Sequence, residues 1–422
     1  MPIGEHAKGT EMRMQSIEGW RGITALLVVL FHIYVAHSLF YEEWLRYLAP
    51  VLELFFIISG FVMALGFGDK VTDTKSFVGY LIRRGGRIWP LHLAMLSLLL
   101  LIPLLRFVMQ TPGDLFSGKL SLEALPYQLL LLQAWNPELA LTWNHPSWTL
   151  SGEIAAYVLM GLIVWVARSE PLRWVLGLAM IAIAGTIFYQ EMQATENYNV
   201  LSVSRAVTGF FVGFLLFYVW RRFPLKQARV AMVLEVVTAA GFVAILFWHP
   251  TGLSYFWCHA IYALLLYVYA SDLGFMSRIM STPPMMWLGK HSYAMYMFHG
   301  VVTTWIMLVV HFIEARIGVP LTDSVVVPGA PRVHAIVLPE QWMNDLLVVA
   351  YLGVVLIGGR IIYVVVEQPT RIYFTKLGKQ VEANMGAAEK RPAPSLKGEP
   401  VSAETVNAPK AVHQRTDHRD PG

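Results

Sequence analysis

Arg21 and His32 stand eleven residues apart in the apolar stretch WRGITALLVVLFHIYVAHS, Trp20 to Ser38. At about 100° per residue, eleven helical steps bring both side chains onto one face, about 16 Å apart along the axis. A guanidinium at one level can hold an anion. An imidazole at another can take and return a proton near neutral pH. Ionisable side chains at membrane depth mark functional sites by default. Taken alone, His32 also fits a packed residue bonded to a neighbouring carbonyl.

A second chemical cluster lies in HPSWTLSGEIAAY, where Ser147, Ser151 and Glu153 precede Tyr157 by one to three turns. An isolated carboxylate in an apolar run is costly. Glu153 could meet His32 at a similar depth, fixing its tautomer on one ring nitrogen and leaving the other as a base. It could equally be a buried Glu satisfied by helix-end donors, or an interhelical clamp. A third cluster, RRGGRIWP, sets Arg83, Arg84 and Arg87 around a glycine pair. Membrane anchoring explains one or two such arginines. Three also suit phosphate oxygens, which arginine forks match.

These groups need elements that carry them through lipid, and the composition supplies them. Of 422 residues, 56% are hydrophobic and 14% charged, against about 25% charged in a soluble domain. The reading is an all-α polytopic membrane bundle of about ten helices. The spans fall near 20–40, 49–67, 88–109, 148–167, 172–189, 203–221, 229–248, 252–271, 291–313 and 345–366, the fifth being short. Basic residues collect in alternate loops, which puts both termini in the cytoplasm. The net charge of +4 reflects this pattern and does not point to nucleic acid. One cysteine, Cys258, excludes an intrachain disulfide and closes the zinc and CxxC readings, and no metal is expected. Residues 1–15 read as a cytoplasmic segment, 16–376 as the membrane domain and 377–422 as a disordered cytoplasmic tail. The loops 110–146 and 311–344 are long enough to bear a site. Their Trp135 and Trp143 suit interfacial anchoring or sugar stacking.

The chain resembles the acyltransferase-3 family of integral-membrane O-acyltransferases. The resemblance rests on the Arg21/His32 helix, Phe55-Phe56-Ile57-Ile58-Ser59-Gly60-Phe61, Arg83 to Pro90, Ser147 to Glu153, Leu288 to Tyr293 with Tyr296 and His299, and Val366-Glu367-Gln368-Pro369. The matches run in order across about 16–370. Thr149 stands where Ser is usual, His92 where an aromatic is usual, and Gln368 where Arg is usual.

The resemblance implies transfer of an acyl group, usually acetyl, from a cytoplasmic acyl-CoA to a hydroxyl of a glycan or related acceptor, in a bacterial inner membrane. His32 is then the general base, or alternatively an acyl carrier, and Glu153 orients it. Arg21 holds the donor's phosphates or pantetheine end, and Arg83, Arg84 and Arg87 grip its nucleotide. Ser147, Ser151 or Tyr157 aids the oxyanion or aligns Glu153, and His299 is a further candidate. The rival reading is a proton-coupled transporter using His32 and Glu153 as a relay; no inverted repeat supports it.

Overall fold

In lipid every backbone N–H and C=O must be satisfied within the chain, so apolar segments of this length fold as helices. The computed structural model describes residues 14–389, apart from 47, 109, 111–113, 196–199, 249 and 327–331. Expectations for 1–13 and 390–422 lie outside these residues. The helices are α1 (Gln15–Phe31), short α2 (Glu43–Arg46), α3 (Val51–Phe67), α4 (Thr74–Val108), short α5 (Leu125–Leu130), α6 (Trp148–Val166) and α7 (Glu170–Thr195). There follow α8 (Val203–Arg222), α9 (Ala228–Phe247), α10 (Phe256–Tyr269), short α11 (Phe275–Met280), α12 (Pro283–Ile317), α13 (Gln341–Ile362) and α14 (Gln368–Glu389). Among the described residues, eight helical stretches are long and apolar enough to cross a membrane. α1 and α3, at 17 residues each, cover the remaining two expected spans.

Four boundaries differ from the sequence reading. α1 stops at Phe31, so His32 caps the helix instead of lying deep inside it. Beyond it the chain is extended. Val35 bridges Ile336 in parallel, Ile336 N–H donates to the Tyr34 carbonyl at 2.9 Å, and Ala36 N–H donates to Ile336 at 2.8 Å. The β-branched Ile33 and Val35 suit that pairing. Second, the basic stretch Arg83–Pro90 is part of α4, not a loop. Third, α7 runs 26 residues and is not short. Fourth, α13 continues through a π-helical turn, Tyr363–Glu367, into α14. Residues 377–389, assigned to the tail by composition, are therefore helical. Ala, Glu, Lys and Gln are also strong helix formers, and α14 lies along α4, with Phe374 against Gly86 and Glu382 against Gly79.

The Pro-rich loop 311–344 holds a hairpin that composition hid. Strands β1 (Thr322–Val325) and β2 (Val333–Ile336) pair antiparallel, with Thr322 opposite Ile336 and Val325 opposite Val333. The other long loop folds down onto the bundle. His92 Nε2 meets the Gln128 carbonyl at 2.8 Å, and the buried Gln133 side chain donates to the Ser147 carbonyl at 2.8 Å. Trp143 is buried there, its indole N–H donating to Ser121, which removes it from both roles expected of it. Trp135 is exposed.

α1 is fixed at both ends. The Asp272 carboxylate accepts from the N–H groups of Gln15 and Ser16 at 3.0 and 3.1 Å, satisfying donors that a helix start leaves open. At the other end Ser38 donates to Asp345 through its N–H at 2.7 Å and its hydroxyl at 2.6 Å. Between these ends α1 lies parallel to α12, in closest approach at Gly22 and Gly289. A Cβ at Gly289 would stand 2.0 Å from the Glu18 carbonyl oxygen, and one at Gly22 would stand 2.7 Å from the Gly289 nitrogen. Only glycine permits backbones this near. Deeper in the bundle, Glu53 and Arg205, both fully buried, pair at 2.6 Å. Tyr255 donates to the same carboxylate at 2.9 Å and His259 Nε2 lies 3.1 Å from its second oxygen.

Replacing Gly289 by Leu should separate α1 from α12 at a cost of about 1–3 kcal/mol or more. Thermal unfolding of the purified protein checks this, and an unchanged midpoint would show that the contact is slack.

Candidate active site

A cavity with about 850 Å³ of empty space, part of it open to the exterior, runs between α1, α3, α4, α6 and α12. α1 supplies Arg21 and α4 supplies Arg87 to its wall; α12 adds Ser292, Tyr293 and Tyr296. Arg21 is paired with Glu18 at 2.9 Å, and its Nη2 donates to Ser292 Oγ at 3.4 Å. Glu18 and Arg21 are three residues apart on one helix, so this pair is local and partly exposed, and contributes little to stability. It does hold the guanidinium at the cavity wall.

Glu153 faces this cavity from α6. Ser59 of α3 donates to its Oε1 at 2.6 Å, and the Tyr157 hydroxyl donates to the same oxygen. Ser59 and Tyr157 are also within 3.2 Å of each other. Two hydroxyls converging on one oxygen fix the orientation of this carboxyl group. The helical spacing of Glu153 and Tyr157, four residues, puts them on one face by construction. Tyr80 of α4 donates to the Tyr157 carbonyl at 3.0 Å and fixes this turn of α6 against α4.

His32 has different neighbours from those expected. Its Nδ1 lies 2.8 Å from the Val28 carbonyl, one turn back. That bond keeps the proton on Nδ1 and makes Nε2 the basic nitrogen. Val28 thus fills the role on Nδ1 that the sequence reading gives to Glu153. The ring centroid of His32 lies 4.8 Å from that of His145 and 5.0 Å from that of His299. The last two are 5.3 Å apart. His299 is fully buried on α12, and His145 sits in the turn that leads into α6. Tyr296 joins the two regions: it lines the cavity, its ring lies 5.5 Å from His299, and its hydroxyl contacts Thr149 at 3.0 Å. On the other side His32 borders a narrow cleft with Tyr34, Thr303, Tyr351 and Ile336.

The remaining candidates are placed elsewhere. Arg83 is paired with Glu382 of α14 at 2.7 Å, and Arg84 lies over the Phe67 ring at 4.8 Å with its Nη1 near Met63 Sδ. Of the three arginines in that stretch, Arg87 is the one on the cavity wall. Ser147 bonds Gln128 and Gln133, and Ser151 accepts from the Ala134 N–H at 3.3 Å. Both are buried supports of the loop 110–146, away from Glu153's hydrogen bonds. Sequence reasoning missed Ser59, Ser292, Tyr296 and His145 as site residues, though all four lie in or beside the motifs quoted above. For Ser59, Ser292 and Tyr296 the signal available was a polar side chain in an apolar helix; for His145 it was an imidazole in the turn before α6.

A model of a family described as an acyltransferase domain matches residues 14–364. A protein named acyltransferase MdmB from Streptomyces mycarofaciens is 32% identical over 177 residues, 38% of this chain and 42% of that protein. The match therefore spans less than half of that relative. A protein named protein 2 in picA locus from Rhizobium radiobacter is 30% identical over 181 residues, 40% of this chain and 90% of that protein. No solved structure matches the chain.

Tyr157→Phe removes one of two hydroxyls held by Glu153. The loss should be about 1.5–3 kcal/mol, the range for hydrogen bonds to charged groups. Ser59→Ala should cost a similar amount, and the double variant less than the sum, because the two share one oxygen. Strict additivity in unfolding measurements would mean that the three groups do not act together.

Proposed function

The chain belongs to the acyltransferase-3 family, and on that premise we propose that it is a membrane O-acyltransferase. It moves an acyl group, acetyl in the simplest case, from a cytoplasmic acyl-CoA to a hydroxyl of a glycan or related acceptor. The observation that carries this reading is the continuity of the site. Two guanidiniums stand on the wall of one cavity, and a tyrosine on that wall, Tyr296, touches the histidine group containing His32.

Arg21 and Arg87 hold the donor's phosphates or pantetheine carbonyls, since guanidinium forks match both kinds of oxygen. Arg83 and Arg84 lie further along the same helix and receive the nucleotide end, with Glu382 giving way to it. The acceptor approaches His32 from the cleft beside Thr303 and Tyr351. His32 Nε2 takes the hydroxyl proton as that oxygen attacks the thioester carbonyl. The C–S bond breaks, and the sulfur leaves as CoA thiol after receiving the proton from His32. Tyr157 is the candidate donor to the developing oxyanion once its single O–H turns from Glu153 to that oxygen. Glu153 acts as a positioning residue for Tyr157 and Ser59. The distribution of Lys and Arg among the loops supports a cytoplasmic donor side with both termini inside, and the bacterial sources of both relatives support a bacterial inner membrane.

The test uses purified protein in nanodiscs with labelled acetyl-CoA, reading donor binding and release of free CoA. His32→Ala should keep binding and lose turnover by ~10²–10⁴-fold, the worth of a general base. Arg87→Ala should weaken donor binding by about 1.5–3 kcal/mol, one charged contact. Wild type that binds no acyl-CoA sinks the reading and turns attention to transport.

The pH profile gives an independent check. A base must be unprotonated to work, so turnover should fall as pH drops through the imidazole range, about 6.5 for an unperturbed His. A rate flat across that range removes His32 from the role.

A further inference from the structure

We propose that His32, His145 and His299 form a binding site for a divalent transition-metal ion of the Zn²⁺ class. This goes beyond the acyl-transfer reading and does not depend on it. The three residues come from the end of α1, the turn before α6 and the middle of α12. Each offers one nitrogen, and these atoms all lie within 4.8 Å of one another. Zinc binds imidazole nitrogen at about 2.0–2.1 Å in tetrahedral geometry, which sets donor atoms roughly 3.3–3.4 Å apart. Small side-chain rotations close the difference.

Three observations favour an ion over plain packing. First, His299 is fully buried and neither ring nitrogen makes a hydrogen bond of regular geometry among the described residues, the Met295 and Tyr296 carbonyls lying beside it in its own helix; His145 Nε2 likewise makes none. Buried polar atoms without partners are rare and each requires an explanation. Second, the rings do not lie in a parallel stack that would explain their association. Their planes are tilted by 39°, 44° and 82°, while one nitrogen of each lies within 4.8 Å of the other two. Third, His32 is held through Nδ1 by the Val28 carbonyl. Metal-ligating histidines are held this way, with the second nitrogen bonded to a backbone carbonyl or carboxylate, and the metal on the first.

Imidazole donors suit Zn, Cu, Ni and Fe and do not suit Mg or Ca, which take oxygen. Three histidines leave a fourth position open, as in zinc sites that keep a water. The sequence reading closed zinc on the count of one cysteine, but that count bears on thiolate sites and not on an all-imidazole one. An ion here occupies the same Nε2 that serves as the proposed base, so a bound ion inhibits transfer and the ion-free form is the one that works as an acyltransferase.

The test is Co²⁺ titration of tag-free full-length protein in detergent, read by visible d–d absorption and displaced by Zn²⁺. The probe is the metal alone, so the result is independent of any acyl transfer. Wild type should bind one equivalent with the intense band of a tetrahedral site. His145→Ala and His299→Gln should each weaken binding by more than the ~10–100-fold that losing an outer-shell partner costs. Their thermal unfolding and gel-filtration profiles show whether they still fold. The exposed pair His311 and His334, whose rings stack at 6.0 Å, is the competing surface site, and His311→Ala should leave the band unchanged. Absence of a band in wild type, or a band lost in His311→Ala but kept in His145→Ala, overturns the proposal.

Discussion

The close parallel contact of α1 with α12 is the constraint on which the site depends. With Gly22 against Gly289, every residue further along α1 meets a residue about equally far along α12. His32, ten residues past Gly22, therefore meets His299, ten past Gly289, while Arg21, one residue before Gly22, reaches Ser292 with its long side chain. The two ends of the site are thus held apart chiefly by one pair of helices. The glycines contribute no side chain to the chemistry, yet they set where all of it stands.

A second constraint holds the opposite wall. The buried Glu53–Arg205 pair ties α3 to α8, and Arg205 also donates to the Ala49 carbonyl at 2.8 Å and lies 5.5 Å over the Trp148 ring. Trp148 begins α6, five residues before Glu153. A buried ion pair is weak support for stability in itself, because desolvation offsets most of the attraction. Here each charge has additional partners, and the arrangement defines how α3 and α6 sit. Ser59 and Glu153 meet across those two helices as a consequence.

Much of this was legible in the residues. The apolar segments, their number and their order follow from hydropathy because lipid leaves the backbone few alternatives. Arg21 and His32 share a face because helical spacing requires it. What could not be read is pairing at a distance. Nothing local to His32 reveals that its neighbours are residues 145 and 299, or that Ile336 draws the following segment into a strand and ends the helix. The same limit explains Glu153. Its need for a partner was visible, but whether Ser59 or His32 answers it depends on how α3 and α1 pack against α6. The helical course of 377–389 was hidden for a related reason. Its Ala- and Glu-rich composition favours both solvated coil and helix, and contact with α4 decides.

The junction at His32 has a mechanical meaning. The residue stands where a stiff rod gives way to an extended ribbon, and the next few peptides are shared with β2 through Tyr34 and Ala36 and clamped to α13 by Asp345. A rod transmits displacement along its axis, whereas a hydrogen-bonded ribbon transmits shear from its neighbour. The backbone at His32 is thus joined to α1 on one side and, through these hydrogen bonds, to the hairpin and α13 on the other.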